Sequence, residues 1–254
     1  MKAATGRLLL VPNALDHGAE PLPITELLPH GVLQQAAALA HWVVEDARSA
    51  RALLKRVQAV VPLALPLQAI DIRELPRPPK GGAAARAPAP DWRGLLAPAL
   101  AGRDLGLLSE AGLPGVADPG AALVAAAHAA GVPVLPLPGA SAIVLALAAS
   151  GLDGQSFAFV GYLPQEPAAR AARIRELQTA SRRLGQTQLM IETPYRNAAL
   201  LRALLDTLDA GTRLSVSCGL TLPAGFTRSA TVAAWRVAPQ TLPDRLPAVF
   251  ALLA

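Results

Sequence analysis

Residues 107–164 contain two strand-to-loop-to-helix junctions in succession, and this arrangement limits the possible folds more than any other stretch of the chain. An apolar strand at 105–109 runs into a loop at 110–115, and a second apolar strand at 132–137 runs into a loop at 138–141. A helix follows each loop. Neighbouring parallel strands carry such loops at the same, carboxyl edge of a sheet. Open α/β sheets bind small ligands there, so the sequence predicts a ligand site at this edge.

The first half of the chain alternates apolar strands with helices. Strands are predicted at 7–11, 41–45, 67–73 and 104–109, and helices at 31–39, 47–57 and 92–102. This alternation is typical of a parallel sheet with helices on both faces. Residues 75–91 are rich in Pro, Gly and Ala and show no apolar periodicity, which predicts a mobile loop. Its Arg77, Lys80 and Arg86 either contact an anionic substrate or are simply solvated.

The second half continues the pattern without a clear linker. Helices are predicted at 139–150, 168–184 and 194 to about 208, strands at 157–163, 188–193 and 213–220, and further elements at 227–235 and 244–253. We place the boundary after Leu137, which gives an N-terminal α/β domain at 1–137 and a C-terminal α/β domain at 138–254.

Composition narrows the function classes. The net charge of +5 and the pI of about 10.1 are compatible with a nucleic-acid partner, although 20 arginines against 3 lysines is equally what a GC-rich genome encodes. One cysteine, Cys218, and four scattered histidines predict neither a disulfide framework nor a metal site; Cys218 reads as a core residue of a strand. There is no uninterrupted apolar run of membrane-spanning length and no signal sequence, so we expect a soluble, cytoplasmic protein without membrane contact. Dinucleotide, Walker and nucleophile-elbow motifs are absent.

Two loops carry the first group of candidate ligand contacts. Gly112 allows a ligand to approach the backbone, and Glu110 could accept hydrogen bonds from ribose hydroxyls or an ammonium group; a plain tight turn is the alternative. Asp118, followed by Pro119, is predicted to cap the next helix. Ser141 is predicted to cap the helix after the second loop, to donate to a ligand, or both.

Charged groups at two further strand ends form the second set. Glu45, Asp46 and Arg48 follow the strand at 41–45 and either bind substrate or form a local ion pair and helix cap. Tyr195 and Arg196 follow the strand at 188–193, where they could stack on and clamp a planar or anionic partner. Packing of Tyr195 between helix and sheet is the alternative.

Taken together, these stretches resemble the tetrapyrrole (corrin/porphyrin) methylase superfamily, and most closely its ribosomal branch, the 16S ribosomal RNA cytidine 2′-O-methyltransferases. The resemblance runs in order from about residue 6 to about 236. It is carried by VPN at 11–13, VEDAR at 44–48, the loop from Ser109 to Gly120, PLPGASA at 136–142, FVGYLP at 159–164 and ETPYR at 192–196.

The resemblance implies two α/β domains of the tetrapyrrole methylase type, with a mostly parallel N-terminal sheet and a mixed C-terminal sheet. It further implies S-adenosylmethionine bound in a cleft between them, and a homodimer. By position, the cofactor contacts would be Pro12, Ser109, Glu110, Ala111, Gly112, Leu113, Pro138, Gly139, Ala140, Ser141, Tyr162 and Glu192. The substrate contacts would be Glu45, Asp46, Arg48, Tyr195 and Arg196.

The implied activity is methyl transfer from S-adenosylmethionine to a ribose 2′-hydroxyl of ribosomal RNA, with Arg48 and the arginine-rich helix at 168–184 near phosphate. The alternatives are a methyltransferase of a tetrapyrrole or another small molecule, and a non-catalytic paralogue that binds cofactor or RNA. No catalytic base is assigned; Glu45, Asp46 and Glu110 are candidates by position only.

Several positions depart from the family pattern. Asn13 and its neighbours replace the usual glycine-containing first loop, Glu110 replaces an aspartate, and Leu113 and Ala47 replace threonines. The stretch at 217–222 lacks the charges usual in the family. These changes motivate the non-catalytic alternative.

Overall fold

The computed structural model describes residues 5–16, 22–76 and 90–254, which form two compact units, Met1–Ser141 and Ala142–Ala254. The boundary therefore lies four residues after the predicted one. The loop predicted at 75–91, with Arg77, Lys80 and Arg86, falls mostly outside the described residues. No helix in the described part of the chain is both long enough and apolar enough to cross a membrane.

The first unit contains a parallel five-stranded sheet, in the order β3-β2-β4-β1-β5. Its strands are β1 (Leu8–Leu10), β2 (His41–Val44), β3 (Asp71–Glu74), β4 (Leu105–Leu108) and β5 (Val134–Pro136). Its helices are α1 (Ile24–Leu27), α2 (His30–Ala38), α3 (Ala47–Gln58), α4 (Trp92–Leu95), α5 (Ala97–Leu100) and α6 (Ala121–Ala130), with a 3-10 helix at Leu67–Ala69.

Both faces of this sheet are covered, as the near-continuous apolar strands require. Leu9, Trp42 and Val44 pack on one side, and Leu8, Val43 and Leu107 pack on the other. Gly106 of β4 makes room for this packing, because a Cβ there would lie 2.7 Å from Cε3 of Trp42.

The second unit contains a mixed five-stranded sheet, in the order β6-β7-β10-β8-β9. Its strands are β6 (Phe157–Tyr162), β7 (Thr187–Glu192), β8 (Arg213–Cys218), β9 (Phe226–Thr231) and β10 (Ala248–Leu253). Its helices are α7 (Ala142–Ser150), α8 (Pro167–Leu184), α9 (Asn197–Thr207) and α10 (Val232–Val237), with a 3-10 helix at Pro194–Arg196. Strands β6 and β7 are parallel, whereas β10 runs antiparallel to both β7 and β8, and β9 is antiparallel to β8.

The second sheet is also buried on both faces. Met190 and Phe250 pack with α8, α9 and α10 on one side, and Leu189 and Val249 pack with α7 on the other. The predicted fold class is therefore confirmed: a parallel N-terminal sheet and a mixed C-terminal one. Cys218 is fully buried in β8, as predicted, and burial raises the pKa of its thiol.

Three element predictions are wrong in detail. The single helix predicted at 92–102 is two short helices, because Pro98 has no N–H to donate to the preceding turn. The strand predicted at 67–73 is a 3-10 helix followed by β3. Asp118 does not cap a helix: α6 begins only at Ala121 with Gly120 as its N-cap, because the positive φ angles of Ala117 (65°) and Gly120 (133°) interrupt a right-handed helix before that point.

Candidate functional site

Asn13 connects the loop after β1 to the loop after β4 through both its backbone and its side chain. Its backbone forms a bridge with Gly112, with N–H to O distances of 2.8 and 3.1 Å. Its side-chain amide donates to the carbonyls of Ser109 and Glu110, at 3.2 and 2.8 Å. The buried asparagine therefore fixes the path of the loop that the sequence predicts to contact a ligand.

The loop after β5 packs against the same place. A Cβ on Gly139 would lie 2.3 Å from Cβ of Pro12, so only glycine allows this contact between the loops. A Cβ on Gly112 would lie 3.6 Å from the Ala140 carbonyl oxygen, and Gly112 has a φ of +66°. The predicted residues of the first unit thus come together at the carboxyl edge of its sheet: Pro12, Ser109, Glu110, Ala111, Gly112, Leu113, Pro138, Gly139, Ala140 and Ser141.

Three carboxyl groups, those of Glu45, Glu110 and Asp118, lie in or beside these loops. The Glu45 carboxylate accepts the backbone N–H of Glu110 at 3.1 Å, which joins the end of β2 to the loop after β4. Burial, reinforced by the negative charges of Glu45 and Glu110, raises the pKa of Asp118 to about 6, against the opposing effect of a hydrogen bond with Ser109. A carboxyl with a pKa near 6 exchanges protons close to neutral pH, as a general acid or base does.

Asp46 has a structural role at the start of α3. Its carboxylate caps α3 by accepting the backbone N–H groups of Arg48 and Ser49 at 3.0 and 2.8 Å, as the cap alternative predicts. These bonds, with the Ser49 N–H contributing most, lower the pKa of Asp46. A carboxylate with a lowered pKa is a weak proton acceptor, which counts against Asp46 as a base. The Arg48 side chain is exposed.

The predicted residues of the second unit lie at the ends of β6 and β7. Tyr162 ends β6 opposite Ile191 of β7, and its side chain is exposed. Glu192 ends β7 and is buried, whereas Tyr195 in the following 3-10 helix is 76% exposed. The exposure of Tyr195 rules out the packed alternative for this ring.

Arg196 is held by Glu192. Its guanidinium donates to Oε1 of Glu192 at 2.7 and 3.0 Å and lies 5.5 Å from the centroid of the Tyr195 ring. The same Oε1 accepts the backbone N–H of Thr193 at 2.8 Å. Arg196 is therefore positioned by the protein before any partner arrives, and part of its donor capacity is already used.

The second carboxylate oxygen of Glu192 has no partner. Oε2 is buried without a hydrogen bond, and so is Oδ1 of Asn197, whose amide nitrogen donates to the Leu246 carbonyl at 2.9 Å. A buried acceptor without a donor costs roughly 1–3 kcal/mol, so unpaired groups of this kind are characteristic of functional sites. The pair Glu192 and Asn197 offers acceptors to a ligand that brings N–H or O–H groups.

Sequence reasoning missed the hydrogen bonds of Asn13, the raised pKa of Asp118 and the unpaired acceptor of Asn197. Asn13 entered only as part of the VPN stretch and as the loss of a glycine, and four of its hydrogen bonds depend on residues about a hundred positions away. Asp118 was assigned to a helix cap because Pro119 follows it. Asn197 gave no signal, because it falls inside the helix predicted from 194 and its amide bonds to Leu246, 49 residues away. Within the described residues, no group of three or more His, Cys, Asp or Glu side chains is arranged to hold a metal ion.

Comparison with known proteins points to one family. The sequence model of the Tetrapyrrole (Corrin/Porphyrin) Methylases matches residues 32–234. Among curated proteins, Ribosomal RNA small subunit methyltransferase I of Vibrio cholerae is 42% identical over 109 residues, which is 43% of this chain and 36% of that protein. The protein of the same name from Micromonospora olivasterospora is 48% identical over 107 residues, which is 42% of this chain and 33% of that protein.

A longer match, to the protein of that name from Mesorhizobium japonicum, is 35% identical over 140 residues, which is 55% of this chain and 46% of that protein. The chain thus spans less than half the length of these curated relatives. Two solved structures share the fold over 98% of the chain: uroporphyrin-III-C-methyltransferase from Thermus thermophilus (TM-score 0.51, 21% identity, 92% of that chain) and the methyltransferase CobJ (TM-score 0.56, 18% identity, 94% of that chain).

Proposed function

Because the chain belongs to the tetrapyrrole (corrin/porphyrin) methylase family, we propose that it is an S-adenosylmethionine-dependent methyltransferase that acts on a ribose 2′-hydroxyl of ribosomal RNA. The RNA substrate is proposed from its curated relatives, three of which bear the name Ribosomal RNA small subunit methyltransferase I. A cytoplasmic location and a homodimer belong to the same proposal.

The observation that carries the proposal is the joining of three loops at one sheet edge. Loops after β1, β4 and β5 are held together by Asn13 and by the contact of Gly139 with Pro12. Pro138 and Gly139 are exposed at this edge and Ala140 is half-buried, so a ligand there meets backbone with little side chain in the way. We assign the cofactor to this edge; Tyr162 and Glu192, at strand ends of the second unit, are proposed as cofactor contacts from the family resemblance alone.

The unpaired acceptor in the second unit fits S-adenosylmethionine. That molecule carries amino groups and ribose hydroxyls, and the buried Oε2 of Glu192 lacks such a donor. When bound, the cofactor supplies a methyl group already activated by the sulfonium. The protein's own task is then to orient the acceptor hydroxyl and exclude water. Glu45, Tyr195 and Arg196 are proposed to contact the acceptor, together with the exposed Arg48; Asp46 supports them as the cap of α3.

A substitution at Glu192 tests the cofactor site. In Glu192→Gln the amide oxygen should keep the place of Oε1 beside Arg196, which leaves an N–H₂ group where Oε2 stood. A charge-assisted acceptor then becomes a donor, so S-adenosylhomocysteine should bind about tenfold to a hundredfold more weakly in titration calorimetry.

Glu176→Gln is the matched control, because Glu176 is an exposed glutamate of the same unit that pairs with Arg173. Thermal melting of both variants shows whether the fold is kept. Equal affinity of wild type and folded Glu192→Gln would remove Glu192 from the cofactor site. A wild-type protein that does not bind S-adenosylhomocysteine would overturn the proposed function.

A further inference from the structure

Helices α8 and α9 enclose a groove of about 500 Å³ that the proposed cofactor site does not use. Four of its nine lining residues are alanines, including Ala171 and Ala203, and two are arginines, Arg170 and Arg202. Short side chains leave the groove open between the helices. The arginines are therefore the groups that a ligand in this groove would meet.

The two arginines line the groove from its two helices, Arg170 from α8 and Arg202 from α9. Gln178 of α8 accepts the backbone N–H of Asp209, 31 residues further along, just after α9 ends. Both helices follow parallel strands and cross back over the same face, so they run in the same direction.

Part of the Arg170 guanidinium has no hydrogen-bond acceptor in the described protein. Its Nε is buried without a hydrogen bond, and neither Arg170 nor Arg202 forms an ion pair with another described residue. Two guanidinium groups that line one groove repel each other, and a buried N–H without a partner is unfavourable. The Glu166 carboxylate is near enough to feel the Arg170 charge, but its oxygens accept the N–H groups of Ala168 and Ala169.

The other arginines of α8 differ in this respect. Arg173 pairs with Glu176 at 3.0 Å and Arg182 pairs with Asp209 at 2.9 Å. Arg175 and Arg183 are exposed and lie outside the groove. We therefore restrict the expected phosphate contact of this arginine-rich helix to Arg170, and we add Arg202 of the next helix.

We propose that the α8–α9 groove binds a backbone phosphate of the RNA substrate between Arg170 and Arg202. The inference rests on the proposed function for the identity of the ligand. A guanidinium presents paired donors that match two phosphate oxygens, which supplies the acceptor that Arg170 lacks. Asp206 also lines the groove, one turn after Arg202, and its charge opposes an anion at that end.

The test compares two double variants of equal charge. Arg170→Gln with Arg202→Gln removes the groove arginines, and Arg175→Gln with Arg183→Gln removes two exposed arginines of α8. Binding of a labelled, short single-stranded RNA is measured over a range of salt concentrations. The groove variant should bind about tenfold more weakly at low salt, with the slope of log affinity against log salt reduced by about 0.7, the value for one lost phosphate contact on a single strand. The control should change affinity less than about twofold.

Further arms of the experiment separate the possible causes. Asp206→Asn should tighten RNA binding, and the groove variant should melt no lower than the control, because its arginines make no ion pair within the described protein. S-adenosylhomocysteine should bind the groove variant as it binds wild type, so failure of the cofactor site and failure of the groove give different results.

Three outcomes would overturn the assignment of the groove to RNA phosphate. The first is equal weakening by both double variants, which would indicate a diffuse positive field. The second is a lower melting temperature confined to the groove variant, which would indicate a structural role. The third is binding of polyglutamate to the groove as tightly as RNA, which would indicate an acidic protein partner.

Discussion

The pKa of Asp118 reflects the burial and the neighbouring charges of its side chain. Its carboxyl is partly buried beside Glu45 and Glu110, and its pKa is raised from 3.8 to about 6. The folded protein therefore holds this proton at pH values where the unfolded chain has released it. The free energy of unfolding falls as pH rises from about 4 to 6 and stays lowered above that range.

We expect Asp118→Asn to relieve this penalty. A shift of this size corresponds to about 3 kcal/mol, and because Asp118 keeps some solvent contact we expect roughly 1–2 kcal/mol of added stability at pH 8 and almost none at pH 4. Urea unfolding at both pH values measures the difference. Asp104→Asn is the control of opposite sign, because a hydrogen bond from Arg7 lowers the pKa of Asp104. If Asp118→Asn changes stability equally at both pH values, the raised pKa is wrong.

The sequence is informative about residues whose environment is local. Asp46 was recognised as a cap candidate because a cap needs only the next three residues. Glu192 was placed by the family resemblance, whereas Gly112 was identified from its own loop as well; Glu192 ends β7 and Gly112 lies in the loop after β4. The bonds of Asn13 and the proton affinity of Asp118 depend on side chains brought together by the sheet, so neither was visible in a local pattern.

At the scale of elements, the cap of α3 connects local structure to the candidate site. Asp46 begins the helix directly after β2, where Glu45 reaches the loop after β4. Ala47, where the family usually has threonine, also donates its N–H to Glu74 at the end of β3, at 3.0 Å. Three neighbouring strand ends are thus joined through the first turn of one helix.

Asp46→Ala should cost about 1 kcal/mol of stability at pH 7, the usual cost of losing a side-chain cap. The pKa of Asp46 is lowered in the folded protein, so its contribution is present above a pH of about 4 and is lost as the pH falls below that value. Denaturation at pH 7 and pH 3 measures both statements, with Lys55→Ala on the same helix as control. A cost that is unchanged at pH 3 would contradict the ionised cap.

Elements with a strong period were predicted well, and elements governed by backbone conformation were not. α3 and α8 lie within a residue or so of their predicted bounds, since apolar spacing and caps define them. The late start of α6 follows from left-handed backbone at Ala117 and Gly120. Nothing in the residue types requires Ala117 to adopt a positive φ, so the loop from 110 to 120 could not have been drawn correctly from sequence.

At the scale of the molecule, each unit is a sheet buried on both faces with its predicted site residues at one edge. The strand alternation of the first unit was enough to predict a parallel sheet. In the second unit, the mixed character of the sheet was expected only through the family resemblance, and the position of the antiparallel strand β10 between β7 and β8 was not predicted. The resemblance and the fold together support the proposed methyltransferase, whereas the lost charges at 217–222 motivate the non-catalytic alternative.

Methyl transfer to ribosomal particles tests the central claim most directly. The purified protein is incubated with methyl-labelled S-adenosylmethionine and 30S subunits from a bacterial strain that lacks its gene, and the RNA is then digested to nucleosides. We predict label in a single 2′-O-methylated nucleoside of the 16S RNA, and no label when the same assay is run on subunits from the parent strain. Cofactor binding without label in any RNA, or label that enters a tetrapyrrole instead, would contradict the account.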